Sequence, residues 1–233
     1  MPGDWPGGAE GFGSFEAPTA SQKRAIAAVW SWTVGVTAGE RRGLVLWGGF
    51  GAGKTHLARA ADRTLLASGW VGNFYDSPAW VKRIQSFYGV KAEPDAQDRS
   101  FSDWLGRPYF ILDDLGTEHV RAESLGWLQE CLFLLVNGAE RTGLSLLITT
   151  NLPPAVVAPD GAVTSRPLAD RVGGKVWSRL AGLCGADGFV DLSGVTDYRL
   201  RGPNTCTAPT RTPASPVENL RSGTPSASDP QAP

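Results

Sequence analysis

The 233-residue sequence predicts an α/β protein, three layers deep, with helices covering both faces of a parallel sheet. Three observations carry that expectation. The apolar runs at 44–47, 109–112 and 144–149 are continuous rather than alternating, as strands buried on both faces are. Longer stretches with apolar residues three and four apart lie between them. The first run passes directly into GGFGAGKT, residues 48–55, a glycine-rich turn that opens a helix.

Taken in order, residues 1–18 read as an extended Gly- and Pro-rich lead-in with Phe12 and Phe15 as candidate anchors. Thr19 or Ser21 then caps a helix with Ile26, Val29, Trp30 and Val34 on one face, ended by Gly35 and Gly39. The strand at 44–47 and the loop lead to a helix from Lys54 through Leu66, closed by Ser68 and Gly69. A second strand is expected over 70–75. Pro78 suits the first turn of the following helix, whose apolar positions are Trp80, Val81, Ile84 and Phe87.

Residues 89–100 are polar and read as a surface loop, with a short helical turn at 101–105. A strand at 109–112, a strongly apolar helix at 123–136 and a strand at 144–149 follow. The helix over 167–183 is interrupted by Gly173 and Gly174, and 188–192 supplies the last strand. Residues 201–233 are dominated by Pro, Thr, Ser and Ala, too poor in large apolar residues to fold, and are expected to be a disordered tail. The folded unit is therefore one domain spanning 19–200.

Composition narrows the setting. A formal net charge of −1 supplies no bulk basic field for nucleic acid, so any DNA contact must be local. The three cysteines, Cys131, Cys184 and Cys206, lack the spacing of a zinc site or disulfide framework and fit a reducing cytosol. No basic-then-apolar leader opens the chain and no run approaches a membrane span, so a soluble, cytoplasmic protein is expected.

Residues 48–55 satisfy G-x-x-x-x-G-K-[ST] in full, between a strand and a helix as that motif requires. Backbone N–H groups from Gly48, Gly49, Phe50, Gly51, Ala52 and Gly53 would form an anion nest, reinforced by the helix N-terminus. Lys54 would neutralise the β- and γ-phosphates of a nucleotide, and the Thr55 hydroxyl would take one position on Mg²⁺. His56 closes the nucleotide-binding stretch; neither it nor His119 has a second histidine at metal spacing, and both also read as structural.

Asp113 and Asp114 end an apolar strand, which delivers them to the carboxyl edge where open α/β sheets bind ligands. Asp113 is assigned to magnesium and Asp114 to the water that attacks the γ-phosphate. The alternative is an ordinary acidic turn. Asn151 follows the run LSLLITT to the same edge, where its amide could bond the water and the γ-phosphate; Thr149 and Thr150 are alternatives for that task.

With these motifs in order, the chain resembles the bacterial DnaC/IstB-like AAA+ ATPases, which include replicative helicase loaders and transposition helper ATPases. The resemblance runs through FGSF, GLVLWGGFGAGKTHLA, YFILDDLGTE, LLITTNL, VWSRLAG and VDLSGVTDYR. It implies a five-stranded parallel core, with the strand ending at Asn151 between those carrying residues 48–55 and Asp113–Asp114. It also implies that Arg179 acts as an arginine finger toward ATP on a neighbouring subunit of a homo-oligomer, with Arg171 competing for that role. Arg199 matches the closing Tyr-Arg of the family.

Phe50 stands where many relatives have proline, Asp114 replaces a common glutamate, and little precedes Phe12, so the partner-binding domain of several loaders is expected to be missing. No helical lid is expected after the last strand. Relatives often bind single-stranded DNA, for which Lys82, Arg83 and Phe87 are candidate contacts, the alternative being a solvated basic helix face. The resulting expectation is an ATP- and Mg²⁺-dependent ATPase switch whose partner is a replicative helicase or a transposase. An ATP-holding adaptor with little hydrolysis is the second reading, and a small-molecule kinase, which would need a lid, the third.

Overall fold

The computed structural model describes residues 11–15, 17, 19–88, 96–119, 121–157, 161–195 and 197. The first part of the lead-in, the segment 89–95, Arg199 and the tail 201–233 lie outside the described residues.

Thr19 is the residue that starts the first helix, α1 (Ala20–Thr37): its hydroxyl accepts from the Gln22 N–H while the Gln22 side chain reaches back to the Thr19 N–H, a reciprocal capping box. The strand β1 (Gly43–Trp47), the loop and α2 (Lys54–Ala67) follow. After β2 (Asn73–Asp76), the Asp76 carboxylate caps α3 (Ser77–Gln85) by accepting from the Ala79 N–H at 2.7 Å, with Pro78 in the first turn. The chain continues through α4 (Ala96–Leu105), β3 (Tyr109–Leu115), α5 (Leu125–Thr142) and β4 (Ser145–Thr150). A small antiparallel pair, β5 (Val156–Val157) and β6 (Val163–Ser165), precedes α6 (Pro167–Val172), α7 (Gly174–Cys184) and β7 (Phe189–Asp191).

The main sheet has five strands in the order β2-β3-β4-β1-β7, and every pairing is parallel. Alternate side chains supply two cores, as the pleat requires. Leu44, Leu46, Tyr109, Ile111 and Leu147 pack beneath α1 and α2. Val45, Phe110, Leu112, Leu146 and Ile148 face the other way, beneath α3, α4, α5 and α7. The three-layer α/β class expected from the sequence is present, as is the five-stranded parallel sheet that the resemblance implies, with the strand preceding Asn151 between the other two. Among the described residues no helix follows β7, and none is long and apolar enough to cross a membrane.

Several local expectations are corrected. The buried stripe of α1 runs through Ala25, Ile26, Val29, Trp32, Thr33 and Val36, while Val34 is 47% exposed. Trp32 wins its inward place because its indole N–H finds the Arg42 carbonyl at 3.1 Å, a partner a buried indole needs. The lead-in is not wholly extended: Phe12–Ser14 form a 3-10 turn and Phe12 is buried against the α1–α2 layer. Helix α4 begins at Ala96, inside the stretch read as a loop, because Phe101 and Trp104 anchor it to an aromatic cluster with Trp80 and Phe110. The antiparallel pair β5–β6 falls between the strand at 144–149 and the helix at 167–183, where no element is expected from the sequence. Burial pushes the thiols of Cys131 and Cys184 up to about 12, so both stay neutral, and no group able to hold a metal through several His, Cys, Asp or Glu side chains occurs among the described residues.

Candidate nucleotide site

Because β4 lies between β1 and β3, the carboxyl ends of adjacent strands bring residues 48–55, Asn151 and Asp113–Asp114 together. The loop ends at Gly53, whose φ of 94° places it in the left-handed region as the N-cap of α2. A Cβ there would also overlap the Phe15 ring, at 2.3 Å, so this position needs glycine for both backbone and space.

Lys54 is only 5% exposed. Its ammonium donates to the carbonyls of Gly48 at 2.9 Å and Gly49 at 2.8 Å and to Asn151 Oδ1 at 2.7 Å. The cation needed for phosphate is therefore already positioned over the loop and joined to the next strand. An arriving phosphate would compete with neutral acceptors for it, and a charge-assisted bond is the stronger one. Of the alternatives at the end of β4, Asn151 alone meets Lys54. The Thr150 hydroxyl donates to the Leu115 carbonyl at 2.7 Å, and Thr149 serves the acidic pair.

Asp113 is 3% exposed, and its Oδ1 accepts from the Thr149 hydroxyl at 2.5 Å and the Thr55 hydroxyl at 3.1 Å. Burial raises its pKa above the usual carboxylate range; the hydrogen bond from Thr149 opposes this and the neighbouring Asp114 charge adds to it. A buried carboxylate beside a hydroxyl suits Mg²⁺, a hard cation that prefers oxygen donors and retains its waters, so Thr55 and Asp113 fit the role expected of them. Asp113→Asn should raise the Tm of nucleotide-free protein at neutral pH, by about 2–4 °C if the burial penalty it removes is near 1 kcal/mol. A thermal melt that falls instead would show that the carboxylate stabilises the empty fold.

Asp114 sits in a β-bulge. Leu112 pairs with Ile148 and Leu115 with Thr150, so Asp113 and Asp114 together oppose Thr149. Asp114 has φ +57°, unusual for a residue with a side chain. Its N–H donates to Thr149 Oγ1 at 2.8 Å, and its carbonyl accepts from the Thr117 N–H at 3.2 Å and hydroxyl at 2.8 Å. Both of its backbone groups are thereby held, and its half-buried carboxylate accepts no hydrogen bond from the described residues. Such a carboxylate is available to a water.

Phe50 is 68% exposed, so its share in a phosphate nest is its backbone, while Ala52 is buried beneath the loop. The His56 imidazole turns to the lead-in, 3.2 Å from Ser14 Oγ and 3.3 Å from the Gly11 carbonyl, beside the Phe15 ring. Arg179 is brought to α5 rather than to its own loop: it pairs with Glu140 at 2.7 Å and lies over the Phe133 ring at 5.3 Å. Arg171 is committed inside the chain to Glu118. Lys82 and Arg83 are exposed on α3, with the Arg83 guanidinium 5.1 Å from the Phe87 ring centre.

Sequence reasoning missed the clamping roles of Thr149 and Thr117 and the placement of Glu118. The signal for Thr149 was its position opposite the acidic pair on an adjacent buried strand. That juxtaposition requires the strand order, which local patterns do not contain.

No protein-family profile matches the sequence, and no curated protein matches it. Solved structures do. The DnaC helicase loader superimposes with a TM-score of 0.60 at 22% identity, over 78% of this chain and 96% of that one. DnaI gives 0.57 at 16% identity, over 80% and 89%. AMPPCP-bound DnaA from Aquifex aeolicus gives 0.57 at 16% identity, over 77% of this chain but only 50% of the DnaA chain. These likenesses place the chain in the same fold as those structures.

Proposed function

We propose that this chain is a DnaC-like AAA+ ATPase, a nucleotide-dependent switch associated with DNA replication. One observation carries the reading: the Lys54 ammonium, the Asn151 amide and the Asp113–Asp114 bulge meet at adjoining strand ends around residues 48–55. The AMPPCP in a DnaA structure of the same fold supports a nucleotide there.

In this reading the loop N–H groups and Lys54 hold the β- and γ-phosphates, with Thr55 and Asp113 holding Mg²⁺, which would offset phosphate charge. Asp114 orients the water and takes up its proton as the oxygen attacks the γ-phosphorus; the bond to the bridging oxygen breaks, leaving ADP and phosphate. Asn151 can hand its hydrogen bond from Lys54 to the water once a phosphate engages the lysine. Arg179 acts in trans, on ATP held by a neighbouring copy. Support for that comes from its partial exposure and from Arg171 being tied to Glu118.

Mixing tests the shared site. Arg179→Ala and Lys54→Ala proteins, each inactive alone, should together recover measurable ATP turnover, because a mixed interface can hold an intact loop opposite an intact arginine. No recovery at any ratio would reject a trans role for Arg179.

The partner we assign is a replicative helicase. The likeness to a DnaC helicase loader supports this, and an IstB-like transposition role is the competing assignment. Affinity capture from the native host, with Asp114→Asn protein held in ATP, distinguishes them by whether a helicase or a transposase is recovered. Rapid ATP turnover by the purified protein would remove the adaptor reading, in which ATP is held but scarcely cut.

A further inference from the structure

The geometry points to Glu118 as a positioning residue for hydrolysis, acting through the bulge that carries Asp114; this rests on the ATPase reading above. Glu118 lies just beyond the acidic pair, and its side chain is 1% exposed. Its Oε2 accepts from the Gly116 N–H and the Ser77 hydroxyl, both at 2.8 Å. Its Oε1 accepts from Arg171 Nε at 2.9 Å and Nη2 at 2.6 Å, and the same Nη2 donates to the Glu118 carbonyl at 3.0 Å.

These donors come from different parts of the fold. Ser77 is the first residue of α3 and fully buried, Arg171 is in the last turn of α6, and Gly116 belongs to the turn leaving β3. A turn that merely reversed the chain at the surface would need neither a buried carboxylate nor a bidentate arginine from another helix. Gly116 has φ +101°, and a Cβ there would meet the Leu152 side chain at 2.8 Å, so the turn is confined sterically as well.

The consequence falls on Asp114. Its φ is uncommon for a non-glycine residue and persists only where the surroundings over-determine it. Thr149 holds its N–H side, and the turn fixed by Glu118 holds its carbonyl side. Without Glu118 the turn is released and Asp114 can relax toward extended backbone, carrying its carboxylate off the water. The partners of Glu118 are Gly116, Ser77 and Arg171, none of which belongs to residues 48–55, so nucleotide binding is spared.

The test separates turnover from binding in the full chain. The double variant Glu118→Leu/Arg171→Met replaces the buried ion pair with apolar groups, a change that folds often tolerate. It should lower kcat about 100-fold, as a displacement near 1 Å at a reacting group does, while the Kd of a fluorescent ATP analogue changes less than about threefold. Ser77→Ala removes a single donor and should lower kcat by about three- to tenfold with the same unchanged Kd. Unaltered kcat in a folded variant, or loss of binding in step with loss of turnover, overturns the proposal. If the double variant does not fold, Ser77→Ala decides by the same criterion. A wild-type chain that binds no analogue, or binds it and never turns over ATP, instead refutes the ATPase reading and the positioning role with it.

Discussion

Lys54→Ala is expected to weaken ATP binding by at least about 100-fold, measurable by nucleotide titration of the purified chain. A charge-assisted hydrogen bond contributes roughly 1.5–3 kcal/mol, and loss of the bonds Lys54 would make to the β- and γ-phosphates reaches that factor without further assumptions. The structure adds a second effect. The ammonium now satisfies the Gly48 and Gly49 carbonyls and Asn151 Oδ1, so its removal leaves these acceptors without their donor even in the empty site. The variant should therefore also melt somewhat earlier than the parent without nucleotide. Retention of near-native affinity would mean that the loop amides alone hold the ligand.

Asp114→Asn should have the opposite profile: ATP affinity within about threefold of the parent and turnover reduced by about 10²–10⁴-fold, the range in which a general base contributes. The amide is nearly isosteric and the backbone bonds to Thr149 and Thr117 do not involve the side chain, so the bulge is retained. What is lost is the proton acceptor. Measuring kcat and Kd on one preparation checks both halves of the expectation. A parallel loss of binding would mean that Asp114 belongs to the phosphate and cation subsite, and that the division of labour with Asp113 is wrong.

How much of this was legible in advance depended on whether the physics was local. Residues 48–55 could be read because a glycine turn, a lysine and a hydroxyl at fixed spacing carry their own geometry. The buried strands were legible from uninterrupted apolar runs. The face of α1 was read only in part: Ile26 and Val29 are buried as expected and Trp30 is half-buried, but Val34 is exposed and Trp32 turns inward with its indole N–H on the Arg42 carbonyl, beyond the helix. The left-handed Asp114 was invisible for a related reason. Its conformation is imposed by Thr149 on a neighbouring strand, and nothing in the string DDLG distinguishes it from a regular strand end. The pairing of Arg171 with Glu118 and of Arg179 with Glu140 was invisible too, because each partner is distant in the chain.

The strand order has a consequence for how the protein comes into being. Leu44 of β1 pairs with Leu147 of β4, and β4 in turn completes the bulge at Asp113 and Asp114. The loop is synthesised before β3 and β4, and its lysine meets Asn151 and its threonine meets Asp113 only after those segments have docked. Such non-local pairing is the slow part of folding. A nascent or partly folded chain thus has the phosphate-binding sequence without the site. ATP, by binding only the finished sheet, would draw the folding equilibrium toward it in proportion to ligand concentration. On the proposed ATPase reading, the nucleotide would select completed molecules before it served as a fuel.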